Sequence, residues 1–262
     1  MTASEPGASA GISLRPIRGL PLFHAGDDLA DAIARALGAA GDRLADGDVL
    51  VVAQKAVSKV EGRTVTLSGV TPSPAAEQAA ERAGKDPRVV ELILRESAEL
   101  MRVAPGVIIA RHRSSQVLAN AGIDASNVEG GDTDTVLLWP VDPDASAARL
   151  RRALSQRFGA RIAVVISDSL GRAWRMGTMG TAIGVSGFKP VRDRRGEADL
   201  FGRILQATVI GLADELAAAA SLVIGEAAEG TPAAVVRGAV WEPDDQAGLA
   251  ELLRPLQQDL FR

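Results

Sequence analysis

The chain has 262 residues, of which 47% are hydrophobic and 24% charged, and its net charge is -4 at pH 7. This length and apolar content predict a globular protein with a large buried core. The negative charge gives no electrostatic argument for nucleic-acid binding, and no apolar run reaches the ~18 residues of a membrane span. The absence of cysteine excludes disulfides and cysteine–zinc sites, and a chain with only two histidines excludes a histidine-rich metal site.

The N-terminal segment MTASEPGASAG, residues 1–11, is small, polar and acidic. It lacks the basic start and apolar stretch of a signal peptide, so we expect a disordered tail. Together with the absence of cysteine, this favours a cytoplasmic protein. No linker rich in Gly, Pro or Ser divides the remainder, so residues 12–262 form either one domain or two interwoven subdomains.

The first half of the chain contains both predicted strands and predicted helices. Ser73 and Asp86 each precede a proline, which is typical of a helix N-terminus. The apolar run 48–54 is continuous, as expected of a strand in the centre of a sheet. From apolar spacing we predict strands over residues 12–17, 48–54 and 106–112, and helices over 27–40, 73–84 and 86–100.

The second half continues the mixture of α and β elements. The segment 205–225 is rich in alanine and apolar on most faces, so we expect a long helix buried between layers. The spacing predicts strands over 135–140, 164–166 and 233–240, and a further helix over 142–159.

The stretch VVISDSLGRAWR, residues 164–175, carries a run of polar side chains directly after a buried strand. Asp168 and Ser169 come first, followed by Arg172 and Arg175. Burying a carboxylate costs several kcal/mol unless it is paired or binds a metal. Asp168 and Ser169 are therefore candidate cation ligands, and a structural Asp168–Arg172 pair is the alternative. The arginines could face phosphates or acidic substrates.

Three more segments carry polar groups close to the ends of apolar elements. QKAVSKVEGR (54–63) offers lysines for phosphates, or it is a solvated turn. NAGIDASNVEGGD (120–132) is a polar loop that includes Asp124, and an ordinary loop is the alternative. IGEAAEGTP (224–232) is an acidic, glycine-containing loop, or simply the end of a helix. Together they offer acids for cations and bases for phosphates.

The motifs that are missing narrow the chemistry further. The sequence contains no phosphate loop and no G-x-G-x-x-G, and GVSGF (184–188) lacks the spacing of a nucleophile elbow. What remains is the oxygen chemistry of carboxylates and hydroxyls, with lysines and arginines. This is the ligand set of Mg²⁺ or Mn²⁺ acting on a phosphorylated substrate.

Six segments resemble, in chain order, the coenzyme F420-0:L-glutamate ligase family. The similarity covers about residues 12–240, and NAGIDASN combined with DSLGRAWR is a specific feature of it. The segments are GLPLFHAGDDL, DGDVLVVAQKAVSKVEGR, NAGIDASNVEGGD, DPDASAARLR, VVISDSLGRAWRMG and ADELAAAASLVIGEAAEGTPAAVVRG.

The resemblance implies GTP-dependent ligation of L-glutamate to the deazaflavin precursor F420-0, with further γ-linked additions. The implied route phosphorylates the acceptor carboxylate to an acyl phosphate, which the glutamate amine attacks. Two cation sites, for Mg²⁺ or Mn²⁺, would hold the phosphates, and K⁺ is a further cofactor that the resemblance allows. The implied fold is α+β, a mixed sheet with packed helices, in an intertwined homodimer.

The resemblance also implies roles for single residues. Asp124, Asp168 and Lys59 match the catalytic positions. Asp124 and Asp168 match the ligands of the first cation, and Ser169 and Glu226 match those of the second. The implied nucleotide contacts are Leu20, Pro21, Leu22, Phe23, Gln54, Lys55, Lys59, Asn127, Ile224, Gly225, Glu226, Ala227, Ala228, Glu229, Gly230 and Thr231.

One pair departs from the family pattern, and two other functions stay open. Gln54 and Lys55 stand where relatives commonly have small hydroxyl residues, so nucleotide contacts and preference could differ. A metal-dependent phosphotransferase or nucleotidase on the same scaffold is one alternative. A non-catalytic deazaflavin-binding or regulatory relative is the other, although the intact acids Asp124, Asp168 and Glu226 argue against it.

Overall fold

The computed structural model describes residues 11–126 and 134–259. Within them the chain forms thirteen strands and six α-helices. The strands are β1 (Ser13–Pro16), β2 (Val49–Ala53), β3 (Thr64–Thr66), β4 (Ser97–Ala104), β5 (Val107–His112), β6 (Val117–Ala119), β7 (Thr135–Leu137), β8 (Ala163–Gly171), β9 (Thr178–Phe188), β10 (Arg192–Asp193), β11 (Val209–Ile210), β12 (Ala233–Arg237) and β13 (Pro243–Asp244). The helices are α1 (Leu29–Ala39), α2 (Gln54–Val60), α3 (Pro74–Ala83), α4 (Pro87–Glu96), α5 (Pro143–Phe158) and α6 (Leu212–Ile224).

The largest sheet in the described residues has six strands in the order β1-β12-β2-β8-β9-β13. Its only parallel neighbours are β2 and β8, which are paired from Val49 opposite Ala163 to Ala53 opposite Ser167. The other neighbours are antiparallel. The prediction of a central strand over 48–54 is confirmed, as is the expectation of mixed α and β structure.

Helices cover both faces of this sheet, which explains why its central strands are continuously apolar. Leu50 and Val164 point to one face, where they pack with residues of α1 and α5. Val51 and Val165 point to the other face, where they pack with residues of α6. Side chains alternate between faces along a strand, so a strand buried on both sides has no polar position.

A smaller layer is built on the antiparallel sheet β4-β5-β6. Helices α3 and α4 pack on it around a separate apolar cluster that includes Val90, Ile93 and Ile108. Strands β3 and β7 pair with each other next to a further cluster.

The predicted helix starts are confirmed where a side chain caps the first turn. Ser73 Oγ accepts a hydrogen bond from Ala76 N at 3.3 Å, and Asp86 Oδ1 accepts one from Arg88 N at 2.8 Å. Asp28 and Asp142 cap α1 and α5 in the same way. These signals are local in sequence, so they hold whatever the tertiary fold is.

Two predicted helices are wrong in extent. The helix predicted over 86–100 ends at Glu96, because residues from Ser97 onward form β4 and pair with β5. The helix predicted over 205–225 begins only at Leu212, and Val209–Ile210 instead pair with β10. Tertiary pairing overrides helical spacing in both cases.

The expectation that this last helix is buried between layers is also wrong for the single chain. One face of α6, with Leu212 and Ala217, packs on the sheet, whereas Leu222 is 80% exposed.

The strand predicted over 164–166 runs on to Gly171, so Asp168 and Ser169 lie within the strand and not after it. Strand β9 was not predicted.

No helix in residues 11–126 or 134–259 is long and apolar enough to cross a membrane. The predicted disordered tail, residues 1–11, lies outside the described residues except for Gly11. The intertwined dimer and the division into subdomains stay predictions.

Candidate active site

A cleft of about 950 Å³ lies at one edge of the six-stranded sheet and collects stretches that are far apart in sequence. Its wall includes Leu20–Phe23, the start of α2, the turn before Asp124, the second half of β8 and the loop after α6. A concave site with convergent polar groups is the usual form of a small-molecule site.

The sheet topology explains why these stretches meet. Strands β2 and β8 are parallel, so Gln54 and Lys55, which follow β2, lie beside Asp168 in β8. Strand β12 runs antiparallel to β2, and Ala53 N donates to Pro232 O at 2.8 Å, which brings the loop after α6 to the same edge. Strand β1 ends there too, because it pairs antiparallel with β12 and leads into Leu20–Phe23.

Asp124 is presented by a left-handed turn. Asn120, Ala121 and Gly122 have φ angles of 51°, 52° and 74°, a conformation that L-residues other than glycine rarely adopt. The Asn120 side chain accepts a hydrogen bond from Ile108 N at 3.2 Å, which ties the turn to β5. Asp124 itself is joined to β7 by backbone hydrogen bonds with Leu137. The NAGID segment is therefore a built turn and not an ordinary loop.

Asp124 is paired with a cation of the chain itself. Its Oδ2 lies 2.7 Å from Lys55 Nζ, and its Oδ1 accepts a hydrogen bond from Ser126 N at 2.7 Å. Lys55 Nζ also donates to Ser126 Oγ at 2.7 Å. Burial raises the pKa of Asp124, but the hydrogen bonds from Lys55 and Ser126 outweigh it, and the pKa lies below its ordinary value.

Asp168 has a different environment in the same cleft. Its Oδ2 accepts a hydrogen bond from Trp139 Nε1 at 2.7 Å, and its Oδ1 accepts one from Ser169 N at 2.8 Å. Within the described residues, no salt bridge involves Asp168. Burial raises its pKa to about 6, since the two hydrogen bonds and Lys55 only partly offset it.

The alternative Asp168–Arg172 pair is wrong. Asp168 is held by Trp139 and by the N–H of Ser169, whereas the side chain of Arg172 is exposed beyond the end of β8. Among the residues that the structure describes, no cationic side chain forms a salt bridge with Asp168.

Every residue that the resemblance assigns to the site and that the structure describes lies in the wall of the cleft, whereas Arg172 and Arg175 are exposed and lie outside that wall. Asn127 lies outside the described residues. The residues brought together are Leu20, Pro21, Leu22, Phe23, Gln54, Lys55, Lys59, Asp124, Asp168, Ser169, Ile224, Gly225, Glu226, Ala227, Ala228, Glu229, Gly230 and Thr231.

Some of these side chains also have partners within the protein. Gln54 is buried, and its amide nitrogen donates to Ser58 Oγ at 2.6 Å and to Leu138 O at 3.3 Å, so it ties α2 to the segment after β7. Thr231 Oγ1 donates to Ile224 O at 2.8 Å and closes the loop after α6. Glu226 is exposed at the cleft.

The acids and hydroxyls of the cleft are the oxygen donors that Mg²⁺ and Mn²⁺ prefer. Within the described residues, no three Asp, Glu or His side chains converge closely enough to hold a metal ion by themselves. The buried carboxyl group of Asp168 is bonded only to neutral N–H groups, so a bound cation would supply the positive charge that favours its ionised form.

Comparison with known proteins identifies the family. The sequence profile described as F420-0:Gamma-glutamyl ligase matches residues 18–238. The chain belongs to this family. It is 49% identical over 253 residues to the coenzyme F420:L-glutamate ligase of Methanothermobacter thermautotrophicus, covering 96% of this chain and 99% of that protein.

Two further members of the F420-0:gamma-glutamyl ligase family are similar over nearly their whole length. Both are named coenzyme F420:L-glutamate ligase. The protein of Methanopyrus kandleri is 46% identical, with 90% of this chain and 92% of that protein covered. The protein of Archaeoglobus fulgidus is 42% identical, with 96% of each chain covered.

In this family member, sequence reasoning missed Trp139. It lies outside the matched motifs and is fully buried, yet it donates the hydrogen bond that holds Asp168. A signal was present, because a buried indole N–H needs an acceptor and Trp139 ends an apolar run. The sequence could not show that this acceptor is an acid of the cleft.

Proposed function

We propose that the protein is a GTP-dependent ligase that joins L-glutamate to coenzyme F420-0 and then adds further glutamates through γ-linkages. The observation that carries this function is the single cleft in which the acids, lysines and loops of the family motifs meet. Relatives up to 49% identical are named coenzyme F420:L-glutamate ligase, which supports the same reaction.

In the proposed reaction, a carboxylate oxygen of F420-0 attacks the γ-phosphorus of GTP. An acyl phosphate forms, and the bond to GDP breaks. The glutamate amine then attacks the acyl carbon and loses a proton, the amide bond forms, and inorganic phosphate leaves. Both steps depend on positioning and on neutralising phosphate charge more than on covalent help from the protein.

Charged side chains of the cleft would divide this work. Lys55 and Lys59 supply positive charge for the phosphates. Asp124, Asp168, Ser169 and Glu226 are the proposed ligands of Mg²⁺ or Mn²⁺. These cations, when bound, neutralise the phosphate oxygens and polarise the phosphorus centre. K⁺ stays a prediction of the family resemblance.

The proposed assembly is a homodimer. Several large apolar side chains stand exposed in the single chain, on the tip of the β8–β9 hairpin and on the segment between β10 and β11. Among them, Met176 is 96%, Leu200 98% and Phe201 89% exposed. A second copy that covers them would remove this surface from water. Sedimentation should give twice the chain mass of 27.2 kDa, and a stable monomer at micromolar concentration would contradict the dimer.

The deciding experiment is incubation with F420-0, L-glutamate, GTP and Mn²⁺, read by mass spectrometry. We expect products that carry one or more added glutamates, together with GDP and phosphate in equal amount. Omitting glutamate should stop phosphate release. GTP hydrolysis that proceeds without glutamate would instead indicate a phosphotransferase or nucleotidase, and F420-0 binding without turnover would indicate a binding protein.

A further inference from the structure

Trp139 lies behind the cleft, where it contacts Asp168 and the turn that leads to Asp124. It is fully buried, and its indole Nε1 donates to Asp168 Oδ2 at 2.7 Å. A hydrogen bond to an ionised acceptor is short and strong. Together with the hydrogen bond from Ser169 N to Oδ1, it fixes the rotation of the Asp168 carboxylate.

The same indole packs against the turn that carries Asp124. A Cβ placed on Gly122 would lie 2.4 Å from Nε1 and from Cε2 of Trp139, so the backbone there is in direct contact with the ring. Two residues later the chain reaches Asp124. One rigid side chain therefore contacts both Asp168 and the turn that carries Asp124.

Trp139 is itself held in place from the opposite side. Its carbonyl oxygen accepts a hydrogen bond from Arg63 Nε at 2.7 Å, and Arg63 Nη2 lies 2.9 Å from Glu96 Oε2. The ring of His112 packs on the indole, with centroids 5.0 Å apart and planes tilted by 54°. The backbone of Trp139 is thus held by Arg63, which lies between α2 and β3 and pairs with Glu96 of α4, and its indole packs on His112 of β5.

We propose that Trp139 is a positioning residue that sets the orientation of Asp168 and its separation from Asp124. This inference rests on the proposed function, in which the two acids share the cation and phosphate site. Partners that orient metal-binding side chains in this way typically contribute 10- to 100-fold to metal affinity or activity.

The first test is spectroscopic and needs no turnover. The protein has three tryptophans, so ¹⁵N-tryptophan labelling gives three indole N–H signals, assigned by single substitutions. In the metal-free protein, Asp168→Asn should shift the Trp139 signal, because an amide replaces the carboxyl group that accepts its hydrogen bond. The signals of Trp174 and Trp241 should stay. An unmoved Trp139 signal would overturn the proposal.

The second test separates positioning from packing. Trp139→Phe keeps an aromatic ring but removes the N–H, and we expect Mn²⁺ affinity and kcat to fall by about 10-fold or more, with KM for glutamate unchanged. The matched control is Trp241→Phe, since that indole also donates one hydrogen bond, to Gly47 O at 2.9 Å, and packs edge-on against Phe188 away from the cleft.

The two tests can fail separately from the proposed function. If the wild-type protein adds no glutamate, the proposed function fails, and the indole signal and Mn²⁺ affinity still decide the role of Trp139. If Trp139→Phe binds Mn²⁺ and turns over like Trp241→Phe, the positioning role is wrong. Should Trp139→Phe not fold, the Asp168→Asn spectrum decides alone.

Discussion

At the scale of single residues, the two acids of the cleft have opposite electrostatic settings. The ammonium of Lys55 holds the pKa of Asp124 below its usual range, although burial works against it. Burial raises the pKa of Asp168 to about 6, with no ion pair to oppose it directly. Such a divergence between neighbouring acids is typical of functional sites.

Lys55 is expected to compete with an external cation for Asp124. Lys55→Met removes the ammonium that lies 2.7 Å from Asp124, so Mn²⁺ should bind the nucleotide-free protein more tightly. GTP should bind more weakly, by roughly 10- to 150-fold, because one charged contact worth roughly 1.5–3 kcal/mol is lost. Calorimetric titration measures both affinities. The control is Lys189→Met, whose surface pair with Glu242 lies outside the cleft. Equal changes in both variants would contradict this role.

When no cation is bound, ionisation of Asp168 should lower the free energy of unfolding of the protein. The folded pKa of about 6 exceeds the ordinary aspartate pKa of 3.8, so the folded protein retains this proton to higher pH than the unfolded chain does. Stability is therefore lost as pH rises from about 4 to 6, by roughly 2–3 kcal/mol.

The corresponding variant is Asp168→Asn in excess EDTA. We expect it to melt above the wild type at pH 8 and to lose this advantage near pH 4, where both side chains are neutral. Thermal melts across this range measure the effect. A variant that is less stable than the wild type at pH 8 would show that the carboxylate is well compensated in the folded state.

At the scale of elements, the left-handed turn before Asp124 requires glycine at its third position. Gly122→Ala combines φ of +74° with a methyl group 2.4 Å from the Trp139 ring. We expect a loss of about 2–4 kcal/mol, from backbone strain and overpacking together, with loss of activity.

The matched control is Gly84→Ala at the end of α3. Gly84 has a similar φ of +62°, but a Cβ there would meet nothing within 4 Å. That variant should lose only about 1 kcal/mol and keep its activity. Denaturant unfolding compares the two, and equal losses would mean that the contact with Trp139 adds nothing.

Elements fixed by neighbouring residues could be predicted from the sequence, and elements fixed by distant partners could not. Ser73 and Asp86 marked helix starts correctly because their caps lie within three residues. The end of α4 was missed because Ser97 and its successors pair with β5. The site follows the same division: Asp124 and Asp168 were found from motifs, whereas Trp139, 29 residues from Asp168, was not.

At the scale of the whole molecule, nucleotide and cation should stabilise the fold only together. No phosphate loop is present in the sequence, so the phosphates of GTP would be repelled by Asp124, Asp168 and Glu226 unless metal cations intervene. Lys55 offsets this repulsion directly only at Asp124, with which it forms a salt bridge. At about 100 times the dissociation constant, binding adds roughly 2.7 kcal/mol. For a chain of this size, the melting temperature should rise by about 5–10 °C.

Thermal melts with GTP, with Mn²⁺ and with both measure this coupling. The joint shift should exceed the sum of the separate shifts, and Asp124→Ala should abolish it while leaving the melting of the free protein cooperative. Equal stabilisation by GTP in excess EDTA would mean that the acids do not act through a cation.

The position of β12 between β1 and β2 has a consequence for biosynthesis. Within the described residues, strand β1 (13–16) has no partner in the main sheet except β12, whose residues 233–237 leave the ribosome more than 200 residues later. Leu20–Phe23 cannot reach their place in the cleft until then. A nascent chain that ends before Ala233 should therefore already contain the β2–β8–β9 core but be unable to retain nucleotide. Binding competence would arise abruptly, once β12 has paired with β1 and β2, and not by degrees.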